Sequence, residues 1–335
     1  MKDPIPSSEL LEDVLKLREQ AASYWNAWCL QAAVKINLFT LLDRQPLSPQ
    51  QVASELNLDP TLINSLMEVL AMDKILLRAG DDKFANGEAA SAALVKGSPL
   101  DQTGSILHNQ AAQTMGPVFP EIFKPDFELP KTSAAKESPA NIFAAAKSAA
   151  RLKAPIILPF LDLGENEKIV DIGAGSGDYT FLMASNHAGL QGTLIDRGAM
   201  AEGSKLLADE MGLGDRIEVI DEDFLKANPG TDYTLALVSH IVHFISFEDS
   251  RKLLKRVFEW MAPGGRIAIH DLLRERSTEP VIEAELLNLD VFIRHGIAVP
   301  TCADVMEWLS DAGFVEPREV AMPIGPNTLI FARKP

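Results

Sequence analysis

The sequence is poor in cysteine, in positive charge and in long apolar runs, and each shortage removes a class of function. Cys29 and Cys302 are the only thiols in 335 residues. They stand far apart, so they build neither a disulfide framework nor a cysteine-based metal site; a reducing compartment is expected, and no metal. Lys and Arg number 31 against 47 Asp and Glu, a formal net charge of −16. Nucleic acid and anionic membrane surfaces both require clustered cations, so neither is an expected partner, whereas small neutral or cationic ligands remain compatible. No segment approaches the roughly eighteen consecutive apolar residues of a membrane helix. The opening residues, Met1 to Pro6, lack the basic start and apolar core of a secretion signal, and the expected location is cytoplasmic. Internal repeats and long low-complexity tracts are also absent.

What is present is organised around one glycine-rich turn. The apolar run Ile169 to Ile172 reads as a strand that breaks at Gly173, Gly175 and Gly177 and leads into a helix. Glycines let the backbone turn tightly and approach a ligand, and the first N–H groups of the following helix face it, which suits a nucleotide-like molecule. A dinucleotide site would require G-x-G-x-x-G, but Asp178 occupies the place of the last glycine. About twenty residues on, Asp196 ends the next strand, where such folds put a carboxylate on ribose hydroxyls. Further strands are read at Arg216 to Ile220, at Thr234 to Val238, and at Arg266 to His270 with Asp271 at its tip. His240, His243 and His270 fall at or just past the C-terminal tips of two of these strands. In an open parallel sheet those tips line the ligand crevice.

The length allows two domains, and 47% apolar residues allow a buried core. Residues 8 to 44 read as helices whose apolar side, with Trp25, Trp28, Leu30, Val34, Leu38 and Leu41, exceeds what one isolated helix can bury. Ser48 to Gln51 is a capping box, and Asp59 with Pro60 starts another helix. Ile75 to Arg78 and Lys83 to Phe84 then read as a hairpin, completing a winged-helix pattern. Such a pattern suggests DNA, but the would-be recognition helix Pro60 to Met72 has no Lys or Arg and contains Glu68, so phosphate neutralisation fails. Covering the surplus apolar surface with a second copy is the better reading.

The glycine turn, Asp196, the segment Asp221 to Phe224, the segment Val238 to Ile245 and the turn Met261 to Gly265 together resemble the class I S-adenosylmethionine-dependent methyltransferases. Within these the resemblance is to the small-molecule O-methyltransferases that include plant caffeic acid and bacterial polyketide and tetrapyrrole enzymes, and it runs over nearly the whole chain. It implies an α/β fold: a Rossmann-like, doubly wound sheet with an antiparallel C-terminal hairpin, preceded by a mainly helical winged-helix dimerisation domain. The implied division is a dimerisation domain over 1–100, a helical connector lining the acceptor pocket over 101–160, and an S-adenosylmethionine-binding domain over 161–335, in a homodimer.

For the cofactor S-adenosylmethionine, the matching positions place Asp171, Gly173 and Gly175 around the methionine moiety, Asp196 on the ribose, Asp223 and Phe224 about the adenine, and Ser239 near the polar end. His108, Met115 and Phe143 of the connector, with Asn288, become candidates for the acceptor pocket. The segment Val238 to Ile245 resembles the family's K-x-x-L-H-D-W stretch, whose histidine is the general base, and this puts His243 in that role. Ser239 stands where many relatives have lysine, and Phe244 replaces the aspartate after the histidine. Asp271 matches the acidic residue that orients the base. A second orienting carboxylate is not visible, and Val299 and Pro300 occupy its neighbourhood. The expected reaction is methyl transfer to a hydroxyl of a small aromatic or conjugated acceptor. The alternatives are another reaction on the same fold (C-methylation, hydroxylation or pericyclic closure) and a winged-helix regulator with a ligand domain.

Overall fold

The computed structural model describes residues 7–113, 116–124, 138–274, 282–320 and 322–335. The chain divides into two compact units, Met1–Gln110 and Ala111–Pro335.

In the first unit, helices α1 (Ser8–Ala22), α2 (Tyr24–Lys35), α3 (Leu38–Leu42), α4 (Pro49–Leu56) and α5 (Pro60–Met72) precede strands β1 (Leu76–Arg78) and β2 (Phe84–Asn86), then α6 (Glu88–Ala93) and α7 (Thr103–Gln113). Side-chain caps start the helices where the sequence places them. Ser48 accepts from the Gln51 amide while the Gln51 side chain accepts from the Ser48 amide, and Asp59 accepts from the amides of Thr61 and Leu62. Leu38, Phe39, Met67, Leu70, Leu76 and Phe84 form the core, so α5 packs inward by Ile63, Met67 and Leu70. The antiparallel pair β1–β2 completes the winged-helix arrangement. Helix α5 exposes Leu62 and Met72, and its Glu68 pairs with Arg78 of β1. α1 buries none of its residues, and at the surface of α2 Tyr24 stacks on Trp25 while Trp28 meets both rings edge-on.

The second unit begins in α8 (Pro139–Ile157), capped by Ser138, and continues β3 (Lys168–Ile172), α9 (Asp178–Asn186), β4 (Gln191–Asp196), α10 (Ala199–Glu210), β5 (Ile217–Asp221), β6 (Tyr233–Ser239), α11 (Phe247–Trp260), β7 (Met261–Asp271), α12 (Ile282–His295), α13 (Cys302–Ala312), β8 (Val315–Val320) and β9 (Thr328–Arg333). The strands form one sheet in the order β5-β4-β3-β6-β7-β9-β8. The first five are parallel, while β9 runs antiparallel to both β7 and β8. Because β3, β4 and β6 are covered on both faces, they read as nearly continuous apolar runs. Alternate residues split between two cores. Val170, Ile172, Ala236, Val238, Ile267 and Ile269 pack with Leu253, Leu254, Val257, Val305 and Trp308 of α11 and α13. Ile169, Leu194, Leu235, Leu237 and Ala268 pack with residues of α8, α9 and α10.

This is the doubly wound sheet with an antiparallel C-terminal pair expected from the sequence. β9 pairs with β8 through Val315, Arg318, Glu319 and Val320, with a register shift between Val315 and Arg318. Pro323, which has no N–H for a ladder, then lies just beyond the strand. The chain winds outward through β4 and β5, then returns to the other side of β3 at β6, so the tips of β3 and β6 flank the topological switch point where ligands bind in such sheets.

Candidate active site

The glycine turn lies at the tip of β3. Gly173, Gly175 and Gly177 have φ of 66, 60 and 78°. A Cβ on Gly173 would stand 2.1 Å from Ile241 Cδ1, and one on Gly177 2.6 Å from both Leu194 Cδ2 and Phe181 Cζ, so space as well as torsion demands glycine at these two positions. The turn is tied to the next strand. Gly173 and Ala174 donate to the Ile195 carbonyl, and Gly175 donates to Asp196 Oδ2 at 2.7 Å. Asp196 Oδ1 accepts from the Arg197 amide, and burial pushes this carboxyl up against the pull of its two backbone donors. Asp171 is fully buried and accepts from Thr180 Oγ1 at 2.7 Å; burial raises its carboxyl to about 7, and the Asp196 charge adds to the rise.

Asp223 Oδ1 accepts from the Leu225 amide and its Oδ2 lies 3.5 Å from Arg197. The edge of the neighbouring Phe224 ring comes within 3.9 Å of the Cβ position built on Gly173. A sulfonium cofactor with ribose hydroxyls and an adenine requires carboxylates, an aromatic face and close backbone approach. Asp171, Asp196, Phe224 and the glycine cradle present these at the ends of the neighbouring strands β3, β4 and β5, so the residues fit S-adenosylmethionine.

Beside this cradle, at the tips of β6 and β7, His240 and His243 flank the carboxylate of Asp271, and His270 packs against His240. His243 Nδ1 donates to Asp271 Oδ1 at 2.5 Å, and both side chains are buried. Burial alone would raise Asp271, but the His243 charge and hydrogen bond, with His240 beside them, hold it far below the usual carboxylate range. In the neutral ring an Nδ1–H committed to Asp271 leaves Nε2 as the nitrogen able to accept a proton, the arrangement of an oriented base. The half-exposed Phe244 ring lies 4.0 Å from that of His243 between centroids, and 6.0 Å from His295 at the end of α12.

His240 has a φ of 56°, which turns its ring back over the strand tips. Its Nε2 is 2.9 Å from Lys153 Nζ of α8 and 2.9 Å from Asn327 Nδ2, and its Nδ1 is 3.6 Å from Asp271 Oδ1. Asn327 Nδ2 also lies 3.1 Å from His270 Nε2, while His270 Nδ1 is 3.2 Å from Ser239 Oγ. Burial, then the Lys153 charge, lowers His270 to about 4 and takes His240 well below the ordinary histidine value. Burial brings Lys153 down to about 8 against the pull of Asp271. His240, His243 and Asp271 lie within 4.8 Å of one another. Both Nδ1 atoms turn toward the same carboxylate oxygen, as in a hydrogen-bonded cluster rather than around a common cation.

Ser239, expected at the polar end of the cofactor, therefore directs its hydroxyl to His270. Of the acceptor-pocket candidates, Phe143 lies against Gly203 of α10, and Asn288 Oδ1 accepts from the Val299 amide at 2.9 Å, pinning the loop before α13. His108 lies on α7, whose first residues belong to the first unit, and Met115 lies outside the described residues. Lys153 and Asn327 were not legible in the sequence, where each is a solitary polar residue with no motif around it; His240 was read at a strand tip, but not its contacts with these two.

The O-methyltransferase domain family matches residues 107–315, and the O-methyltransferase dimerisation domain family matches residues 19–96. The chain belongs to the O-methyltransferase family. This O-methyltransferase depends on S-adenosylmethionine, in line with the fold and the cradle. It is similar to the tetracenomycin polyketide synthesis 8-O-methyl transferase of Streptomyces glaucescens, at 24% identity over 96% of each chain. It is also similar to the phenazine-1-carboxylate N-methyltransferase of Pseudomonas aeruginosa, at 25% identity over 92% of this chain and 94% of that one. Human N-acetylserotonin methyltransferase, solved in complex with S-adenosylmethionine, shares its fold with a TM-score of 0.79 at 21% identity, over 100% of this chain and 99% of that one. Among the described residues, no helix of the O-methyltransferase is long and apolar enough to cross a membrane.

Proposed function

We propose that this homodimeric O-methyltransferase methylates a hydroxyl of a small aromatic or conjugated acceptor, with His243 as general base and Asp271 as its orienting carboxylate. The observation that carries this reading is the buried His243–Asp271 pair at 2.5 Å beside the glycine cradle. S-adenosylmethionine supplies an electrophilic methyl group on a sulfonium. Asp171, Gly173 and Gly175 hold its methionine end, Asp196 its ribose, and Asp223 with Phe224 its adenine. A phenol with a pKa near 10 is barely ionised at neutral pH, so a base aligned on its O–H speeds transfer to the oxygen. His243 Nε2 takes that proton, and Asp271 holds the ring and stabilises the imidazolium. Phe244 offers a half-exposed aromatic face next to the base, which suits a planar acceptor.

The experiment is labelled methyl transfer to a panel of phenols, flavonoids, quinones and tetrapyrroles. With an acceptor found, His243→Ala lowers turnover by about 10²–10⁴, with cofactor affinity unchanged. Asp271→Asn costs less, and the double variant is little worse than His243→Ala because the two act as one unit. Wild-type turnover in His243→Ala sinks the base assignment.

A further inference from the structure

We propose that Lys153 is a positioning residue that sets the direction of every hydrogen bond in the network of His240, Asn327 and His270, and so fixes His240 with its Nδ1–H toward Asp271. An ammonium carries three donors and no acceptor. At 2.9 Å from Lys153 Nζ, His240 Nε2 must therefore be unprotonated, and the ring proton of the neutral imidazole sits on Nδ1, 3.6 Å from Asp271 Oδ1. Asn327 then turns its NH₂ to the ring, because its carbonyl oxygen at 2.9 Å would face the lone pair of Nε2, which the two donors share. The same NH₂ reaches His270 Nε2 at 3.1 Å, which leaves that nitrogen unprotonated too and puts the His270 proton on Nδ1, between Ser239 Oγ at 3.2 Å and the more distant Tyr179 Oη at 3.5 Å, both able to accept it. One cation on α8 thus polarises side chains from four other segments.

The consequence falls on Asp271. Its Oδ2 is buried with no hydrogen-bond partner among the described residues, so the carboxylate depends on what surrounds Oδ1. The His240 Nδ1 is too far for a hydrogen bond, but in this buried setting its N–H dipole favours the negative charge. The opposite tautomer would point a lone pair at the carboxylate and push it off His243. Lys153 and His240 thereby restrain Asp271 from the His240 side.

The effect on turnover rests on His243 being the base; the tautomers do not, and they can be read directly. The measurement is long-range ¹H–¹⁵N NMR of the six ring systems in full-length, ¹⁵N-histidine-labelled protein saturated with S-adenosylhomocysteine, with His240 and His270 assigned by His240→Gln and His270→Gln. Near pH 6.5 both rings are expected as neutral Nδ1–H forms, and a neutral Nε2–H or charged His240 there overturns the proposal. In the unsubstituted protein, raising the pH to about 9.5 discharges Lys153, and the His240 signals should move toward Nε2–H with a midpoint near 8. The groups facing His240 are Lys153 on α8, His243 in its own turn, Asp271 and His270 on β7, and the uncharged Asn327, and the same titration in Lys153→Met, which should lose the transition near 8, assigns it to Lys153. Unmoved His240 signals up to pH 9.5 overturn the proposal without any variant.

Lys153→Met should loosen the His240 tautomer at pH 6.5 and reduce kcat about tenfold with little change in KM for the cofactor, while Lys153→Arg, also a pure donor, keeps the tautomer. Unchanged tautomers in Lys153→Met would show that Asn327 alone sets the network. A wild-type kcat in His243→Ala, with the Lys153 dependence of the tautomers intact, removes the base reading and leaves the network assignment standing.

Discussion

Asp171 is an acid that burial moves in the direction opposite to the usual surface carboxylate. Its folded value is about 7 against an ordinary 3.8, so the folded protein without cofactor keeps a proton that the unfolded chain releases. Below the unfolded value both states are protonated and the group contributes nothing. As pH rises from about 4 to about 7 the unfolded chain is favoured, by about 4 kcal/mol once Asp171 is ionised in both states. A cationic ligand at this position favours the ionised form. S-adenosylmethionine affinity should therefore rise with pH up to about 7, level off above it, and be accompanied near pH 6 by proton release. Calorimetry in two buffers of different ionisation enthalpy checks this, and Asp171→Asn should abolish the slope. A pH-independent affinity in the unsubstituted protein would remove Asp171 from the cofactor site. The sequence shows Asp171 in its strand, but its charge state depends on the surrounding helices and on Thr180.

Among the elements, α11 controls where the proposed base sits. His243 lies in the turn between β6 and this helix, and Ser246 caps the helix three residues later. Ser246 Oγ accepts from the Asp249 amide at 3.0 Å and donates to Asp249 Oδ2 at 2.8 Å. Leu253, Leu254, Val257 and Trp260 anchor the helix to the sheet below, so the cap fixes the exit of a turn already held at its entry by the His240 amide on the His270 carbonyl. Ser246→Ala should cost about 1 kcal/mol and lower Tm by about 2–4 °C. Calorimetric melting checks it, and an unchanged Tm would mean that packing of α11 alone defines the turn. The capping residue and the apolar stripe of α11 are plain in the sequence. The left-handed His240 is not, because nothing local marks a histidine for positive φ.

For the molecule as a whole, the open question is what covers α1 and the exposed aromatic surface of α2. Leu17 is 65% exposed and Trp25 57%, and the O-methyltransferase dimerisation domain match spans 19–96. Leu10, Leu11, Val14, Leu15 and Trp28 are also exposed, and the proposed homodimer would cover apolar surface of this extent with a second copy. Sedimentation velocity at about ten micromolar should find a dimer of the 36.5 kDa chain, and Leu17→Ser combined with Trp25→Ser should shift it toward monomer. A monomeric intact chain at that concentration would defeat the homodimer reading.

By itself the sequence determined the features that depend on neighbours in the chain. These are the strand–glycine–helix turn, the carboxylate ending the next strand, the helix caps, the winged-helix order and the charge balance that disfavours nucleic acid. Parallel α/β folds bring the tips of successive strands to one crevice, so a histidine or aspartate at a strand tip could be assigned to the site without coordinates. The tertiary structure decided the rest. Lys153, His240 and Asn327 are each 87 positions from the next, and they meet because α8 packs beside the tips of β6 and β7 while the chain enters β9 from the other side. No periodicity or motif encodes a contact across that separation; only the packing of the two cores on the sheet fixes it.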